Sequence, residues 1–182
     1  MNECLMLSHN YRQQASAFGL PISVIIIVPL LIMVLTNDTT LGWDIIPLLN
    51  IPIMIIGLAT ILSGLTLMAV TIRMFSKIGK GTLAPWAPPQ KLVVKGIYQR
   101  TRSPMISGVL IVLLGEAVVL SSVWIFIWFT MAIIANHLYF IRFEEPGLLE
   151  RFGDSYALYK ENVPRWIPRR NPWKPDQESE DT

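Results

Sequence analysis

Four long apolar blocks constrain this chain more than any other feature. Residues 20–35 (LPISVIIIVPLLIMVL), 45–72, 105–121 and 123–141 each cross, or nearly cross, a hydrocarbon layer about 30 Å thick at 1.5 Å per residue. Across 182 residues, 52% are hydrophobic and 15% charged, and the mean hydropathy is +0.47, too little polar surface for an ordinary soluble globule. The expectation is an all-α, polytopic membrane protein with four transmembrane helices, five being the alternative count. Pro47 and Pro52 interrupt the start of the second block and Gly57 and Gly64 soften its middle, so it reads as one long bent helix. Arg12 is the sole cation ahead of the first block and no small-x-small cleavage site follows Leu35, so that block reads as a retained helix, not a signal peptide. Cys4 is the single cysteine, which excludes an internal disulfide and a thiolate metal cluster.

The cations give an orientation. Residues 36–44 and the turn at Ser121 and Ser122 hold no Lys or Arg, whereas 73–102 holds seven and the stretch from Arg142 onward seven more. The positive-inside rule then puts both basic segments and both termini in the cytoplasm, in a membrane taken to be the bacterial inner membrane. The net charge of +2 reflects this topology signal and contact with anionic lipid, and it gives no reason to expect nucleic-acid binding.

The chain reads as one membrane domain without internal repeats. Residues 1–75 form an N-terminal hairpin, and 76–96 a cytoplasmic loop punctuated by Gly79, Gly81, Pro85, Pro88 and Pro89. Residues 97–168 hold a tight C-terminal helical hairpin and a cytoplasmic amphipathic helix, and 169–182 a tail with an acidic end. In that helix Leu149, Phe152, Tyr156, Tyr159 and Val163 recur at steps of three and four, with Glu150, Arg151, Asp154, Lys160 and Glu161 largely elsewhere; Pro164 ends it.

Chemistry concentrates at one mouth. Arg102 precedes Pro104, which starts a helix, so a guanidinium and free first-turn amides converge where an anion such as a carboxylate could bind. A snorkelling arginine is the plainer alternative. Glu144 and Glu145 close the fourth block on the same side, and the short turn between the blocks brings the two helix ends together. Two carboxylates at a helix C-terminus are unfavourable, so a positive partner is expected, either an arginine or a cationic ligand. His137 lies seven residues earlier on nearly the same helix face, with Asn136 and Tyr139 nearby. Glu116, an acid inside a membrane segment, is either functional or hydrogen-bonded to another helix. Lys77, Lys80, Arg169 and Arg170 read as solvated helix ends. Nucleotide-binding glycine loops, zinc-type histidine pairs and serine elbows are missing.

The run KLVVKGIYQRTRSPM, a hydrophobic hairpin, and then EEPGLLERFGDSYALYKENVPRWIP resembles the isoprenylcysteine carboxyl methyltransferase family and its phospholipid methyltransferase relatives, over about residues 80–168. The family pattern is KLVxxGxYxxxRHPxY, a hairpin, a glutamate pair and FGxxYxxYxxxVPxxIP. The resemblance implies methyl transfer from S-adenosylmethionine at the cytoplasmic mouth of the helices. It implies cofactor contacts at Gln90, Lys91, Leu92, Val93, Tyr98, Ser103, Pro104, Met105, Ile106 and Glu144, with Arg102 suited to the cofactor carboxylate. Ser103 replaces the family's histidine, Ile106 its tyrosine, and Phe140 an arginine that eukaryotic members carry, which puts a prenylcysteine carboxylate in doubt. Glu145, His137 and Arg102 are the catalytic candidates.

The expected activity is transfer of a methyl group to a lipophilic acceptor, a membrane lipid or lipidated small molecule, in the manner of a protein-S-isoprenylcysteine carboxyl O-methyltransferase. An amine acceptor such as phosphatidylethanolamine is the alternative, and it needs a base, for which Glu145 or His137 would serve. A nicotinamide-dependent sterol-reductase-like enzyme and a non-catalytic membrane adaptor are the readings from other classes.

Overall fold

The computed structural model describes residues 21, 23–37, 47–78, 92 and 94–174. Among them the chain is helical, with no strand. A π-turn at Ser23–Ile27 leads into α1 (Val28–Thr36), followed by α2 (Pro47–Ile78), α3 (Pro104–Val119), α4 (Val123–Tyr139) and α5 (Glu145–Asn162). Helices suit these segments because backbone groups in hydrocarbon have only one another as partners. The hydroxyls of Thr60, Thr66 and Thr71 follow the same logic, each donating to a carbonyl one turn back at 2.7 Å.

Two helical runs are long and apolar enough to cross a membrane: Leu49–Met74, of 26 residues, and Val123–Asn162, of 40. The apolar helices Ser23–Thr36 and Pro104–Val119 are shorter. Only 11% of the Leu49–Met74 window is buried, so its side chains match a hydrocarbon surrounding and not a protein core.

The buried centre is α3, whose Leu113 and Val112 are almost fully enclosed. Val109, Leu110 and Ala132 join them, together with Ile25 from the leading π-turn. Gly57 and Gly64, read from the sequence as soft points in a bent helix, are where α2 meets α3. A β-carbon on Gly64 would lie 2.7 Å from the Gly108 carbonyl oxygen, and one on Gly115 2.8 Å from that of Gly57. The two pairs, seven residues apart on each helix, set the antiparallel register. Lipid chains are as apolar as Leu side chains, so association of the two helices depends on this close approach.

Two boundaries differ from expectation. Helix α2 continues to Ile78, into the stretch read as a loop, while the Gly- and Pro-rich remainder, the first twenty residues and the acidic end lie outside the described residues. The amphipathic helix is also not detached from the fourth apolar block: α4 passes directly into α5 through a second π-turn, Phe140–Glu144. Within α5, Gly153 adopts φ +51, ψ −130 and bends the helix midway, a conformation that glycine takes without steric penalty. The predicted stripe survives the bend. Tyr156, Tyr159 and Val163 are buried, and Leu149, Phe152, Leu92 and Trp173 pack around them. Val163, extended as a residue before proline must be, ends the helix.

Candidate functional site

The site begins where the chain enters α3. Residues 96–99 form a short 3-10 turn, Ser103 takes the N-cap position and Pro104 follows at the first helical position. Ser103 caps through its backbone, its carbonyl accepting both the Ser107 amide and the Ser107 hydroxyl at 3.0 Å. Pro104 has no N–H, so the Met105 and Ile106 amides remain the free donors of the first turn. The Ile106 side chain packs against the α3 core cluster.

The segment after α5 straps this entrance in antiparallel fashion. Arg102 N–H donates to the Pro164 carbonyl at 3.1 Å, Arg169 N–H to that of Arg100 at 3.0 Å, and Trp173 N–H to that of Gln99 at 3.0 Å. The Thr101 hydroxyl donates to the Arg165 carbonyl. Arg169, read as a solvated end, donates its Nη1 to the Asn162 carbonyl and so caps α5. From α5 itself, the Tyr159 hydroxyl reaches the Tyr98 carbonyl at 2.7 Å.

The expected meeting of helix ends occurs: Arg102 Nη1 lies 2.8 Å from Glu145 Oε1. Arg102 Nε also donates to the Val163 carbonyl at 2.8 Å. Glu145 is buried and holds two further cations, Lys160 at 2.7 Å on Oε2 and Arg165 on Oε1. The positive compensation foreseen for the twin acids is thus threefold and supplied by the protein itself. Glu145 was a candidate base, but three cations on one buried carboxylate stabilise its ionised form and leave it as a framework anion.

Glu144 behaves differently. It is exposed, it makes no ion pair among the described residues, and it lies within electrostatic reach of Tyr98 and Arg165. The π-turn separates the two acids. Ile125, Ala132 and Phe140 mark the inward face of α4, and the next buried position comes five residues later at Glu145, where an unbroken α-helix would place Glu144.

Burial, and secondarily the charge of Glu144, raise the Tyr98 phenol above its ordinary range, so it stays a neutral donor. His137 is exposed, and its Nδ1 receives the Trp166 indole N–H at 3.4 Å with Arg165 Nη1 at 3.5 Å. Phe140, where the resemblance would have placed an arginine, lies under the Arg165 guanidinium, whose Cζ is 5.1 Å from the ring centroid. Leu92 packs against the Tyr156, Tyr159 and Val163 cluster, while Gln90, Lys91 and Val93 lie outside the described residues. Glu116 is remote in α3; its Oε2 is buried with no hydrogen-bond partner among the described residues.

Sequence reasoning counted Arg165 and Lys160 only as cations. The missed signal was the placement of an arginine inside VPRWIP, the stretch that straps the helix entrance.

Beside this cluster, an open groove of about 200 Å³ runs between α3 and α4, walled by Leu110, Ile111, Leu114, Phe129 and Ile133. Ser107 and Trp166 line the part next to the charged mouth.

The chain is 36% identical over 78 residues to protein-S-isoprenylcysteine O-methyltransferase B of Arabidopsis thaliana, a match covering 43% of this chain and 40% of that relative. The chain thus spans less than half the length of the curated relative that it matches. No solved structure matches it. The phospholipid methyltransferase sequence model matches residues 52–155, more than half of the chain, from α2 through the first part of α5. By that match the chain belongs to the phospholipid methyltransferase family.

Proposed function

We propose that this protein is an integral membrane enzyme that transfers a methyl group from S-adenosylmethionine to a lipophilic acceptor carrying a carboxylate, as the name of the Arabidopsis relative suggests. The carrying observation is the pairing of Arg102 with Glu145, which joins the entrance of α3 to the exit of α4 and leaves Glu144 without an ion pair among the described residues.

The donor set suits this cofactor. Glu144 would accept from its ammonium or ribose hydroxyls, the Met105 and Ile106 amides would donate to its carboxylate, and Tyr98 would offer a neutral hydroxyl. S-adenosylmethionine supplies a methyl on a sulfonium, and transfer to a carboxylate oxygen returns the S–CH3 electron pair to sulfur without moving a proton. The protein's work is therefore alignment and exclusion of water. The strap from Pro164 to Trp173 and the Tyr156 and Tyr159 cluster close one side of the mouth. The groove between α3 and α4 receives the acceptor's apolar part from the side. An amine acceptor is less well served, because it needs a base and the carboxylate of Glu145 is already held by three cations.

In the membrane, we assign four crossings: the Ser23–Thr36 run, α2, α3 and α4, with the basic segments and the mouth on the cytoplasmic side. The whole chain is taken as one membrane domain.

Calorimetric titration of detergent-purified protein with S-adenosylhomocysteine, followed by product analysis with methyl-labelled cofactor, tests the reading. Saturable binding and a base-labile methyl ester are expected. Absence of binding, or binding of a reduced nicotinamide dinucleotide in its place, would overturn it.

A further inference from the structure

The strap and the entrance it pairs with form one platform of a single charge sign. Residues 94–106 and 163–174 hold seven Lys and Arg and no Asp or Glu, and hydrogen bonds join the two stretches in antiparallel fashion. Three of the cations are already engaged, Arg102 and Arg165 by Glu145 and Arg169 by the Asn162 carbonyl. The other four, Lys95, Arg100, Arg170 and Lys174, are exposed and make no ion pair among the described residues. Exposed acids at this end lie elsewhere: Glu144 in the mouth, and Glu150, Asp154 and Glu161 on α5. Membrane topology alone does not ask for this sorting, because acids weigh little in the positive-inside rule.

Apolar surface shares the platform. Ile167 is 79% exposed, the most of any large apolar side chain among the described residues, and it lies in the strap three residues before Arg170. A lone exposed isoleucine would need no explanation, but this one follows Trp166, which lines the groove between α3 and α4 and so stands where those helices end. Trp166 packs edge-on against Phe140 with ring centroids 6.2 Å apart, and Tyr139 stacks on Phe143 at 5.7 Å beside them. Aromatic rings, a projecting aliphatic side chain and guanidiniums without counter-ions are together the composition of a membrane–water interface. The strap's backbone is pinned at Arg102, Arg100 and Gln99, and Trp173 rests against Tyr159 at 6.0 Å, so Ile167 and Arg170 project from a fixed frame.

We propose that this platform docks on the anionic phospholipid headgroups of the leaflet at the mouth, and that docking holds the strap over the cofactor site. Arg100 and Arg170 pair with headgroup phosphates while Ile167 enters the acyl boundary. This rests on the membrane assignment and the cofactor reading above, and adds a regulator to the same site. A neutral leaflet offers phosphates already paired with choline, and a soluble polyanion would leave Ile167 in water, so an anionic leaflet is the partner that satisfies both halves of the surface.

The test uses the full-length protein with Cys4→Ser and Ile167→Cys, labelled at position 167 with nitrobenzoxadiazole, in phosphatidylcholine nanodiscs with or without phosphatidylglycerol. Phosphatidylglycerol should shift the emission to the blue and lower quenching by acrylamide several-fold. Arg100→Gln combined with Arg170→Gln should abolish that difference, since each cation near an anionic leaflet is worth about fivefold. Arg151→Gln, at an exposed position on α5, should keep it, and high salt should remove it. Unlabelled protein should bind S-adenosylhomocysteine several-fold tighter when phosphatidylglycerol is present, and the double variant should lose the gain. That ligand has no net charge, so the leaflet does not concentrate it. A probe indifferent to phosphatidylglycerol, a response that persists in the double variant, or one that inorganic phosphate reproduces in neutral nanodiscs overturns the proposal. Equal ligand affinities in the two lipids overturn the link between docking and the mouth. A lipid-dependent probe in a protein that binds S-adenosylhomocysteine in neither lipid refutes the cofactor reading and leaves the docking surface standing.

Discussion

Gly64 and Gly108 face each other so closely that a β-carbon on Gly64 would lie 2.7 Å from the Gly108 carbonyl oxygen, and one on Gly108 2.9 Å from that of Gly64. Both obstacles are backbone atoms, which cannot swing away. Gly64→Ala should therefore force α2 and α3 apart and destabilise the protein by about 1–3 kcal/mol. Gly147→Ala is the control: no atom lies within 4 Å of its would-be β-carbon, and the gain in helix propensity should leave stability unchanged or raise it by up to about 1 kcal/mol. Thermal unfolding in one detergent compares the two. Equal losses would show that close packing is not what holds α2 to α3.

Glu145 and Lys160 lie 2.7 Å apart, yet their weights should be very unequal. The Glu145 side chain is 8% exposed, and Glu145→Gln strands Arg102 and Arg165, themselves 13% and 8% exposed, as uncompensated charges. A loss of about 3–5 kcal/mol is expected. Lys160, 41% exposed, is screened by water, so Lys160→Ala should cost under about 1 kcal/mol. Chemical denaturation of the two variants measures the contrast.

Glu144→Gln should do the reverse of Glu145→Gln. Glu144 makes no ion pair among the described residues, so unfolding should be nearly unaffected. Affinity for S-adenosylhomocysteine should fall about tenfold or more, the worth of one hydrogen bond to a charged group. Titration calorimetry separates the adjacent acids into a ligand contact and a framework anion; a normal affinity in Glu144→Gln would remove Glu144 from the cofactor site.

That difference between neighbours shows what was legible in the residues and what was not. Long apolar blocks yield helices because hydrocarbon leaves the backbone no other partner, and the stripe from Leu149 to Val163 lies where a period of 3.6 puts it. The short turn at Ser121 and Ser122 was enough to bring Arg102 and the twin acids to the same mouth. Which acid turns inward was hidden, since helical projection assumes a constant period and the π-turn at Phe140–Glu144 breaks it. The contact role of Gly57 and Gly64 was hidden because a glycine's freedom is a local property, whereas that role depends on a partner helix more than forty residues away. Arg165 was hidden for a similar reason: the strap that delivers it follows the helices in sequence but lies against their entrance in space.

The π-turn supplies the last prediction. The buried positions run Ala132, Phe140 and then Glu145, a final step of five where an α-helix would use four. Deleting Ile141, which is 46% exposed, would let the turn relax to regular α-helix with Glu145 four positions after Phe140, still facing Arg102. Deleting Ile134, 55% exposed and within regular α4, would instead rotate everything beyond it by about 100° and carry Glu145 off its three cations. The first deletion should keep most of the thermal stability and the second should lose it. The Ile141 deletion should nevertheless weaken S-adenosylhomocysteine binding, because Glu144 would then sit three positions from Phe140 and aim elsewhere. Similar stability in both deletions would mean that the bulge does not set the phase of α5, and intact cofactor affinity in the Ile141 deletion would mean that Glu144 does not depend on it.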